Sequence, residues 1–406
     1  MIFVGIDWSE KHHDVEVLGE DGKRLRSLRV EHGVEGLSKL QEVLVELSQE
    51  PEQVAVAVES DHGLLVNALI GCGYAVYPVN PKVAARYRDR DSVAGAKSDR
   101  RDAEVLANLV RTDRHKHQRL AGDSPEGLEV RARARAHLRA VKAATRLRLQ
   151  LRSLLLEFYP AAVELLQEEQ LRDGLAVLSV APNPTLGSRL SVNKIQPTLR
   201  RHGRQRNLEQ RGAEIQQLLR APQLELNSPR LVSAHSDEVA SLVRRLVQAR
   251  IEVETLQEQM TTAFRSHPDA EIYLSFPGLA DTLGARVLGE SGDDPTRYPD
   301  ARARCNYAGN APITRASGKK REVHRRVVRN RRLADATFRM AESAVNTSPG
   351  ARRYYDRQTN ILNKPHNTAI RAVANKLIAK LHACLEDHRL YDEALAWPPE
   401  ISLQAA

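Results

Sequence analysis

Short apolar runs alternate with segments of helical periodicity over the first 115 residues, and this order limits the fold more than any other feature. The runs at 2–6, 14–18 and 23–30 have the β-branched or period-two pattern of strands, and they predict a three-strand antiparallel meander. Strands at 54–58 and 74–79 follow, and helices are predicted at 34–47, 64–70 and 98–110. This order predicts an α/β domain in which helices cover a mixed sheet.

Apolar residues at helical spacing dominate the rest of the chain. The segment 125–170 and the near-heptad seam of 236–263 would bury each other in an antiparallel coiled-coil hairpin, or form a dimer seam. Prolines interrupt the pattern within 171–230, which is typical of an insertion or linker with short helical pieces. We therefore predict three regions, 1–115, 125–265 and a largely helical 270–390.

The charge balance favours a polyanionic partner. The chain has 61 Lys and Arg against 52 Asp and Glu, a net charge of +9, and the stretch from Arg315 to Arg332 has nine cations and a single acid, Glu322. Cations this close together repel each other, and contact with nucleic-acid phosphates relieves the repulsion. Only 4% of the residues are aromatic, so we do not expect base-stacking platforms.

Cysteine spacing and hydropathy exclude several other classes of protein. Cys72, Cys305 and Cys384 are far apart and lack CxxC spacing, which excludes a disulfide framework and a zinc ribbon and indicates a reducing cytoplasm. The longest uncharged run, 63–81, is interrupted by Asn, Gly and Pro, so we expect no membrane span. The apolar start of the chain leads directly into a strand, and we expect no signal peptide.

Four carboxylates are candidates for a metal site. Asp7 follows the first apolar strand and Glu59 follows the strand VAVAV, so both are expected at one edge of the sheet. Asp99 and Asp102 are three residues apart at a helix start and share a helix face. Carboxylates that converge in this way can hold two Mg²⁺ ions about 3.5–4 Å apart, as in phosphodiester cleavage. Taken singly, each acid could instead end a strand, start a helix or be solvated.

Two helical segments have features of nucleic-acid contact. Between residues 131 and 152 there are eight basic residues and no acid, and five share one helical face: Arg131, Arg135, Arg139, Lys142 and Arg146. This face would meet a phosphate backbone, or it is the solvated side of a packed helix. The segment FPGLADTLGARVL has the pattern of a helix-hairpin-helix, whose turn glycine, Gly278, exposes backbone N–H groups to a DNA phosphate. An ordinary interhelical turn has the same pattern.

Ser317 is a candidate nucleophile on a predicted loop, directly before Gly318. Four cations flank it: Arg315, Lys319, Lys320 and Arg321. Cations near a hydroxyl stabilise both an incoming phosphate and the charged transition state of its attack. The segment has no G-x-S-x-G elbow and no evident His partner, so the sequence does not identify a general base.

The acids, the FPGLADTLGARVL segment and the serine segment, in their order along the chain, resemble the motifs of the DEDD-type insertion-sequence transposases. The matching segments cover roughly 1–115 and 270–385, and they are GIDWSEKHHDVEVL, VAVAVES, GYAVYPVNP, SDRRDAEVLANL, LSFPGLADTLGARVL and YAGNAPITRASGKK. The resemblance implies a ribonuclease-H-like (RuvC-like) first domain whose metal ligands are Asp7, Glu59, Asp99 and Asp102. It also implies a C-terminal transposase domain in which Ser317 becomes covalently joined to DNA.

The resemblance also implies partners. In this family a structured non-coding RNA, the bridge RNA, pairs with target and donor DNA while the protein supplies the chemistry. Family members are dimers that pair into tetramers, and the carboxylates of one subunit meet the serine of another across a helical coiled coil. We therefore expect a cytoplasmic, Mg²⁺-dependent transposase of a mobile insertion sequence, with double-stranded DNA and a guide RNA as partners.

The sequence departs from the family pattern at two places. Asn310 replaces an apolar residue in the AG-x-AP turn, and SDHG at 60–63 replaces a small-residue step; neither change removes a catalytic atom. We align the segment 171–230 with none of the family's motifs, so its role stays open. Two rival functions stay open at this point. One is a RuvC-like nuclease that cuts branched DNA with the four acids and water, and the other is a basic scaffold whose acids only cap strands and helices.

Overall fold

The computed structural model describes residues 1–61, 63–91, 98–117, 119–120, 122–318 and 320–398, and of Arg90 and Asp91 the backbone alone. The chain divides into two compact units, Met1–Ser124 with Gly292–Ala303, and Pro125–Ser291 with Arg304–Ala406. The three cysteines are free thiols. Within the described ranges, no helix is both long and apolar enough to cross a membrane.

A five-stranded mixed sheet forms the centre of the first unit. Its strands are β1 Ile2–Trp8, β2 His12–Leu18, β3 Arg24–Glu31, β4 Val54–Val58 and β5 Ala75–Pro78, in the spatial order β3-β2-β1-β4-β5. Strands β1, β2 and β3 pair antiparallel, whereas β4 and β5 run parallel to β1. The mixed sheet and the antiparallel meander predicted from the sequence are confirmed.

Four helices of the first unit cover this sheet on both faces: α1 Val34–Leu47, α2 Leu64–Gly71, α3 Pro81–Asp91 and α4 Asp99–Asp113. Helices α1 and α2 share one apolar core with the sheet, to which Leu44 and Leu69 contribute. Helices α3 and α4 form a second core on the opposite face, to which Ala84 and Leu106 contribute. Short 3₁₀ turns lie at Pro51–Gln53, Arg114–Lys116 and Pro295–Arg297.

Gly5 allows α4 to lie directly against β1. A Cβ atom on Gly5 would lie 1.9 Å from the Ala103 carbonyl oxygen and 2.4 Å from the Ala107 amide nitrogen, both in α4. Both of these are backbone atoms, which cannot move aside as the end of a flexible side chain can. The glycine therefore sets how closely α4, and with it the acids of its first turn, approaches the sheet.

We expect Gly5→Ala to destabilise the protein by at least about 2 kcal/mol, because overpacking at this contact displaces the backbone. Denaturant unfolding measures the effect. Gly71→Ala in α2 is the control, since a Cβ there meets no atom within 4 Å and alanine favours helices more than glycine does. Equal stability losses in the two variants would contradict the packing argument.

The second unit is mainly helical. Helices α5 to α17 are Pro125–Phe158, Leu171–Val180, Pro184–Ser188, Val192–Arg201, Leu208–Leu219, Pro229–Arg265, Ala270–Leu274, Asp281–Ser291, Ala301–Ala308, Arg331–Thr347, Pro349–Asp356, His366–Glu386 and Glu393–Ala396. The first three residues of α13 belong to the first unit. Short 3₁₀ segments lie at Pro160–Leu166 and Glu168–Gln170, and Arg357–Ile361 is a π-helical turn. Strands β6 Ile313–Ser317 and β7 Lys320–His324 form an antiparallel hairpin.

The long helices α5 and α10 pack side by side and antiparallel. Leu155 near the end of α5 shares a core with Leu242 in the first half of α10. Ala134 near the start of α5 shares another core with Met260 near the end of α10. Between residues 138 and 150 of α5, no side chain is fully buried, so the middle of the pair is a thin two-helix stretch. Of the two arrangements predicted from the apolar seam, the antiparallel hairpin is present.

The proline-rich segment 171–230 is a folded helical insertion. It forms helices α6 to α9, whose buried apolar residues join the core at one end of the α5–α10 pair. Leu175, Leu199 and Ile215 are each at most 2% exposed. Pro184 and Pro229 are the first residues of α7 and α10, where a missing N–H leaves no intrahelical hydrogen bond unmade. Pro182 and Pro222 lie between helices, and Pro197 lies inside α8.

Candidate active site

Asp7 and Glu59 come at neighbouring positions at one edge of the first unit's sheet. Strands β1 and β4 run parallel with Ile6 opposite Val58, and the two acids are the next residues of their chains. Both acids lie on the face covered by α4, because side chains alternate along a strand and Gly5 contacts that helix. Parallel pairing thus brings two acids together that are distant in the sequence.

The first turn of α4 brings the other two predicted acids to this face. The side chain of Ser98 caps the helix and accepts a hydrogen bond from the Arg101 amide at 3.3 Å. Asp99 and Asp102 follow directly, where the helix dipole favours negative charge. Asp102 is buried and Asp99 is exposed.

Asp7 has a strongly perturbed acidity. Its pKa is raised from 3.8 to about 6, mainly by burial and then by the negative charges of four carboxylates: Asp102, Glu59, Asp99 and Asp14. The structure therefore groups all four acids that the sequence analysis selected, and it adds a fifth.

The pKa of Asp7 predicts how the stability of the metal-free protein depends on pH. A carboxyl with a pKa of 3.8 when unfolded and about 6 when folded binds its proton more tightly in the folded state. The stability that this proton contributes is complete below pH 3.8 and is lost as the pH rises through about 6. Thermal unfolding in EDTA should therefore show that Asp7→Asn loses less stability than the wild type as the pH rises from 3.8 through about 6. Parallel curves for the two proteins would contradict the raised pKa.

Asp14, which the sequence analysis did not select, belongs to the same group of acids. It lies opposite Asp7 in the β1–β2 ladder, and two nitrogens of Arg29 donate to its carboxylate at 3.0 and 2.9 Å. One ligand atom each from His12, Asp14 and Asp99 lie within 4.8 Å of one another. The sequence predicted both strands and their antiparallel order, but only their register shows that Asp14 lies beside Asp7.

Glu16 and Asp102 differ in how many hydrogen bonds and ion pairs their carboxylates make within the protein. Glu16 is fully buried on the same face, but Arg24 and Arg100 donate to it at 2.8 Å each. The buried Oδ1 of Asp102 lies 2.7 Å from an Arg88 nitrogen in an ion pair, and within the described part of the chain it accepts no hydrogen bond besides that contact. Hard divalent cations prefer carboxylate oxygens, and oxygens whose charge is not fully balanced by hydrogen bonds and ion pairs within the protein are available to bind them. The group of acids therefore fits Mg²⁺.

Ser317 is the last residue of strand β6, and its placement on a loop was wrong. The second unit's hairpin was missed because most of its residues are exposed and no alternation of apolar residues marks its strands. Ser317 pairs with Lys320 across a turn in which Gly318 has a φ of +56°, a conformation that favours glycine. Lys319 lies outside the described residues, as does His62.

One face of this hairpin collects the candidate nucleophile and several charged groups. Side chains alternate along each strand, so the ladder places Ile313 and five polar residues on this face: Arg315, Ser317, Lys320, Glu322 and His324. Glu322 pairs with Lys320 at 2.7 Å and with His324 at 3.1 Å, and these hydrogen bonds lower the pKa of Glu322. Arg321 belongs to the opposite face. The Glu322–His324 pair is a feature that the sequence analysis did not find.

Comparisons with known proteins assign the chain to a family. A transposase family model, DEDD_Tnp_IS110, matches residues 4–160, and a model of the transposase IS116/IS110/IS902 family matches residues 270–356. The "Mini-circle putative transposase for IS117" of Streptomyces coelicolor is 40% identical over 410 residues, which cover 100% of this chain and 98% of that protein. The chain belongs to the IS116/IS110/IS902 transposase family.

A further relative of this transposase covers nearly the whole chain. The "Insertion element IS900 uncharacterized 42 kDa protein" of Mycobacterium paratuberculosis is 28% identical over 97% of this chain and 98% of its own length. The resemblance stated from the sequence is thereby confirmed, and the protein is an enzyme that cuts and rejoins DNA. The first family match contains the four predicted acids, and the second contains Gly278 and Ser317. Membership of this nuclease-like family implies use of a divalent metal.

The basic face of α5 in the transposase is divided between internal and exposed residues. Arg131 donates to the Gly289 carbonyl at 2.6 Å, and Arg135 forms a bidentate ion pair with the buried Glu290 at 2.7 and 2.9 Å. These two arginines hold α5 against α12. The other members of the face are exposed: Arg139, Lys142 and Arg146. Nucleic-acid contact by this face stays a prediction, and the exposed residues are the ones positioned for it.

Gly278 of the transposase lies in the turn between α11 and α12. Its φ is +80°, and a Cβ there would lie 2.2 Å from the Met340 carbonyl oxygen in α14. Both the backbone conformation and this packing require glycine without any contact to DNA. The DNA contact expected of Gly278 therefore stays a prediction.

Proposed function

We propose that this transposase cuts and rejoins DNA through a phosphoserine intermediate, with Ser317 as the nucleophile. Two Mg²⁺ ions would be held by the acid quartet: Asp7, Glu59, Asp99 and Asp102. The observation that carries the metal-binding part is the placement of Asp7 and Glu59 at adjoining strand ends, on the face that the first turn of α4 covers. The raised pKa of Asp7 agrees with several carboxylates close to one partly buried acid. Such a concentration of like charge destabilises a fold and is typical of catalytic sites.

The architecture of the first unit supports the metal-binding part of the proposal. Two strand ends and the first turn of α4 hold the acids on rigid elements, and Gly5 sets the distance of that helix. When bound, Mg²⁺ supplies Lewis-acid activation of the scissile phosphate and compensates the charge that develops on it. The order of the five strands supports a ribonuclease-H-like, RuvC-like assignment of this unit.

The hairpin face supports the serine part of the proposal. Attack by Ser317 Oγ forms an Oγ–P bond, breaks the P–O bond to the leaving deoxyribose oxygen and releases the hydroxyl proton. Arg315 and Lys320 share the face and would hold the non-bridging phosphate oxygens, with Lys319 beside them in sequence. Glu322 and His324 offer proton acceptors on the same face.

The family resemblance and the exposed cations support a proposal about the partners. We infer that double-stranded DNA at the element ends and at the target is the substrate, and that a non-coding bridge RNA guides it. The protein would act in the cytoplasm as a homodimer that pairs into a tetramer on DNA, with α5 and α10 as its coiled coil. The carboxylates of one subunit would then act with Ser317 of another, and the α11–α12 turn would contact DNA as a helix-hairpin-helix.

The rival function is a RuvC-like nuclease that uses the four acids and water. Both functions need the divalent metal, so the metal requirement cannot distinguish them. Only the transposase forms a covalent protein–DNA intermediate. Purified protein, donor DNA and cognate RNA should yield, with Mg²⁺, a protein–DNA adduct that survives a denaturing gel, and EDTA should prevent it. Mg²⁺-dependent cleavage that leaves no protein on the DNA ends would support the hydrolytic nuclease instead.

A further inference from the structure

A cavity of about 1170 Å³ in the second unit is lined by no residue of the acid group or of the serine hairpin. It is formed by α15, the π-helical turn, α16 and the segment around α17. The side chains that matter for its chemistry are four cations and two aromatic rings: Arg353, Arg357, Lys376, Lys380, Tyr354 and Trp397.

Positive charge exceeds negative charge around this cavity. Its two acids are already engaged, since Asp356 pairs with Arg352 at 3.2 Å and Glu393 accepts hydrogen bonds from the Gly350 amide at 2.7 Å and from Tyr391 at 2.6 Å. Burial and the neighbouring charge of Lys376 lower the pKa of Lys380. The Lys380 ammonium donates to the Ala396 carbonyl and has two further N–H groups for a ligand. An anion near the two lysines would relieve their repulsion, so the cavity fits a phosphate.

The two aromatic rings in the cavity are held in place. Trp397 donates its indole N–H to the Tyr391 hydroxyl at 2.9 Å, and its ring packs on Gly350, where a Cβ would lie 2.2 Å from the indole. The Tyr354 and Trp397 ring centroids are 5.5 Å apart, and Lys380 lies 4.9 Å from the Trp397 centroid. Aromatic rings interleaved with cations form the combination that binds unpaired nucleotides.

The π-helical turn Arg357–Ile361 gives an independent reason to regard the cavity as functional. Arg357, Asn360 and Ile361 of this turn all line it, and Ile361 is 70% exposed. π-Helical turns are rare, geometrically unfavourable and frequently found at functional sites. The turn therefore marks this part of the lining as a candidate functional surface.

We propose that this cavity binds an unpaired nucleotide of a single strand, with its phosphate among the four cations and its base against Tyr354 and Trp397. A base within a duplex has both faces covered by its neighbours, so a stacked ligand must come from a single-stranded segment. Single-stranded DNA and RNA share this chemistry. The low aromatic content argued against stacking platforms, but one nucleotide needs only the two rings that the fold brings together.

Tryptophan fluorescence tests the proposal directly, because the chain has two tryptophans and Trp8 is 52% exposed. In full-length Trp8→Phe protein, short oligo(dT) or oligo(U) should quench Trp397 fluorescence saturably, since stacking on indole quenches its emission. Quenching by DNA alone, by RNA alone or by both supports the site and identifies its source of nucleotides. Quenching by duplex DNA alone, or no quenching while the oligonucleotides bind, would overturn it.

Two substitutions separate this site from general electrostatic binding. Lys376→Ala changes an exposed residue and should weaken oligonucleotide affinity roughly tenfold. Because one phosphate contact is lost, the slope of log affinity against log salt concentration should become shallower by about one. Tyr354→Leu keeps an apolar side chain and should weaken affinity roughly 5- to 100-fold through loss of stacking. Arg339→Ala, an exposed cation on α14, is the matched control and should have little effect. Equal effects of Lys376→Ala and Arg339→Ala, or unchanged affinity in Tyr354→Leu, would overturn the proposal.

Discussion

Ser317→Ala is expected to abolish the covalent protein–DNA adduct and strand transfer, while DNA binding is retained. The change removes one exposed hydroxyl at the end of β6, so the fold loses no buried contact. Loss of a nucleophile that forms a covalent intermediate lowers the rate by at least about 10³-fold. Denaturing gels measure the adduct, and amplification of the joined DNA measures strand transfer. Filter retention measures DNA binding.

Thr314→Ala is the matched control for this experiment. It removes a hydroxyl from the same strand, but Thr314 belongs to the opposite face of the hairpin. We therefore expect adduct formation close to that of the wild type. Undiminished adduct in Ser317→Ala would exclude it as the nucleophile, and equal losses in both variants would show that the hairpin matters only as a scaffold.

Asp102→Asn is expected to remove Mg²⁺-dependent DNA cleavage. The substitution keeps the size of the side chain and removes the charge that contributes most, after burial, to the raised pKa of Asp7. Loss of a metal ligand weakens stabilisation of the transition state by several kcal/mol, which corresponds to a rate loss of roughly 10²–10⁴-fold. Mg²⁺ should also raise the melting temperature of the wild type but not that of Asp102→Asn, a readout that needs no DNA.

Glu104→Gln tests whether this effect belongs to the acid quartet or to any acid of α4. Glu104 is two residues further along the helix and pairs with Arg24 at 3.0 Å, outside the group that acts on Asp7. Its substitution should leave cleavage and Mg²⁺-dependent stabilisation unchanged. A wild-type response to Mg²⁺ in Asp102→Asn, or an equal loss in Glu104→Gln, would exclude the proposed metal site.

The elements that the sequence predicted well are those with local signals. The apolar run before Asp7 and the run before Glu59 are fully buried strands, and the acids appear where those strands end. Ser98 with Asp99 is a helix start that can be recognised from a few adjacent residues. The β6–β7 hairpin lacks such a signal, because its exposed strands need no apolar face.

The basic face of α5 shows where local reasoning stops. Helical spacing correctly places its five cations together, but it cannot show that Arg135 pairs with Glu290, which is 155 residues away. The same limit applies to Asp14 and Arg88, whose places beside Asp7 and Asp102 depend on strand register and on packing between α3 and α4.

By itself, the sequence determined the α/β order of the first unit, the four acids that it groups, the basic character of the chain and its family. Each of these depends on residue type at short spacing, and short spacing fixes periodicity, helix starts and motif identity. The tertiary structure alone decided the additional acid at Asp14, the faces of the serine hairpin and the cavity between α15 and α16. These depend on contacts between residues far apart in the chain, which only strand register and helix packing bring together.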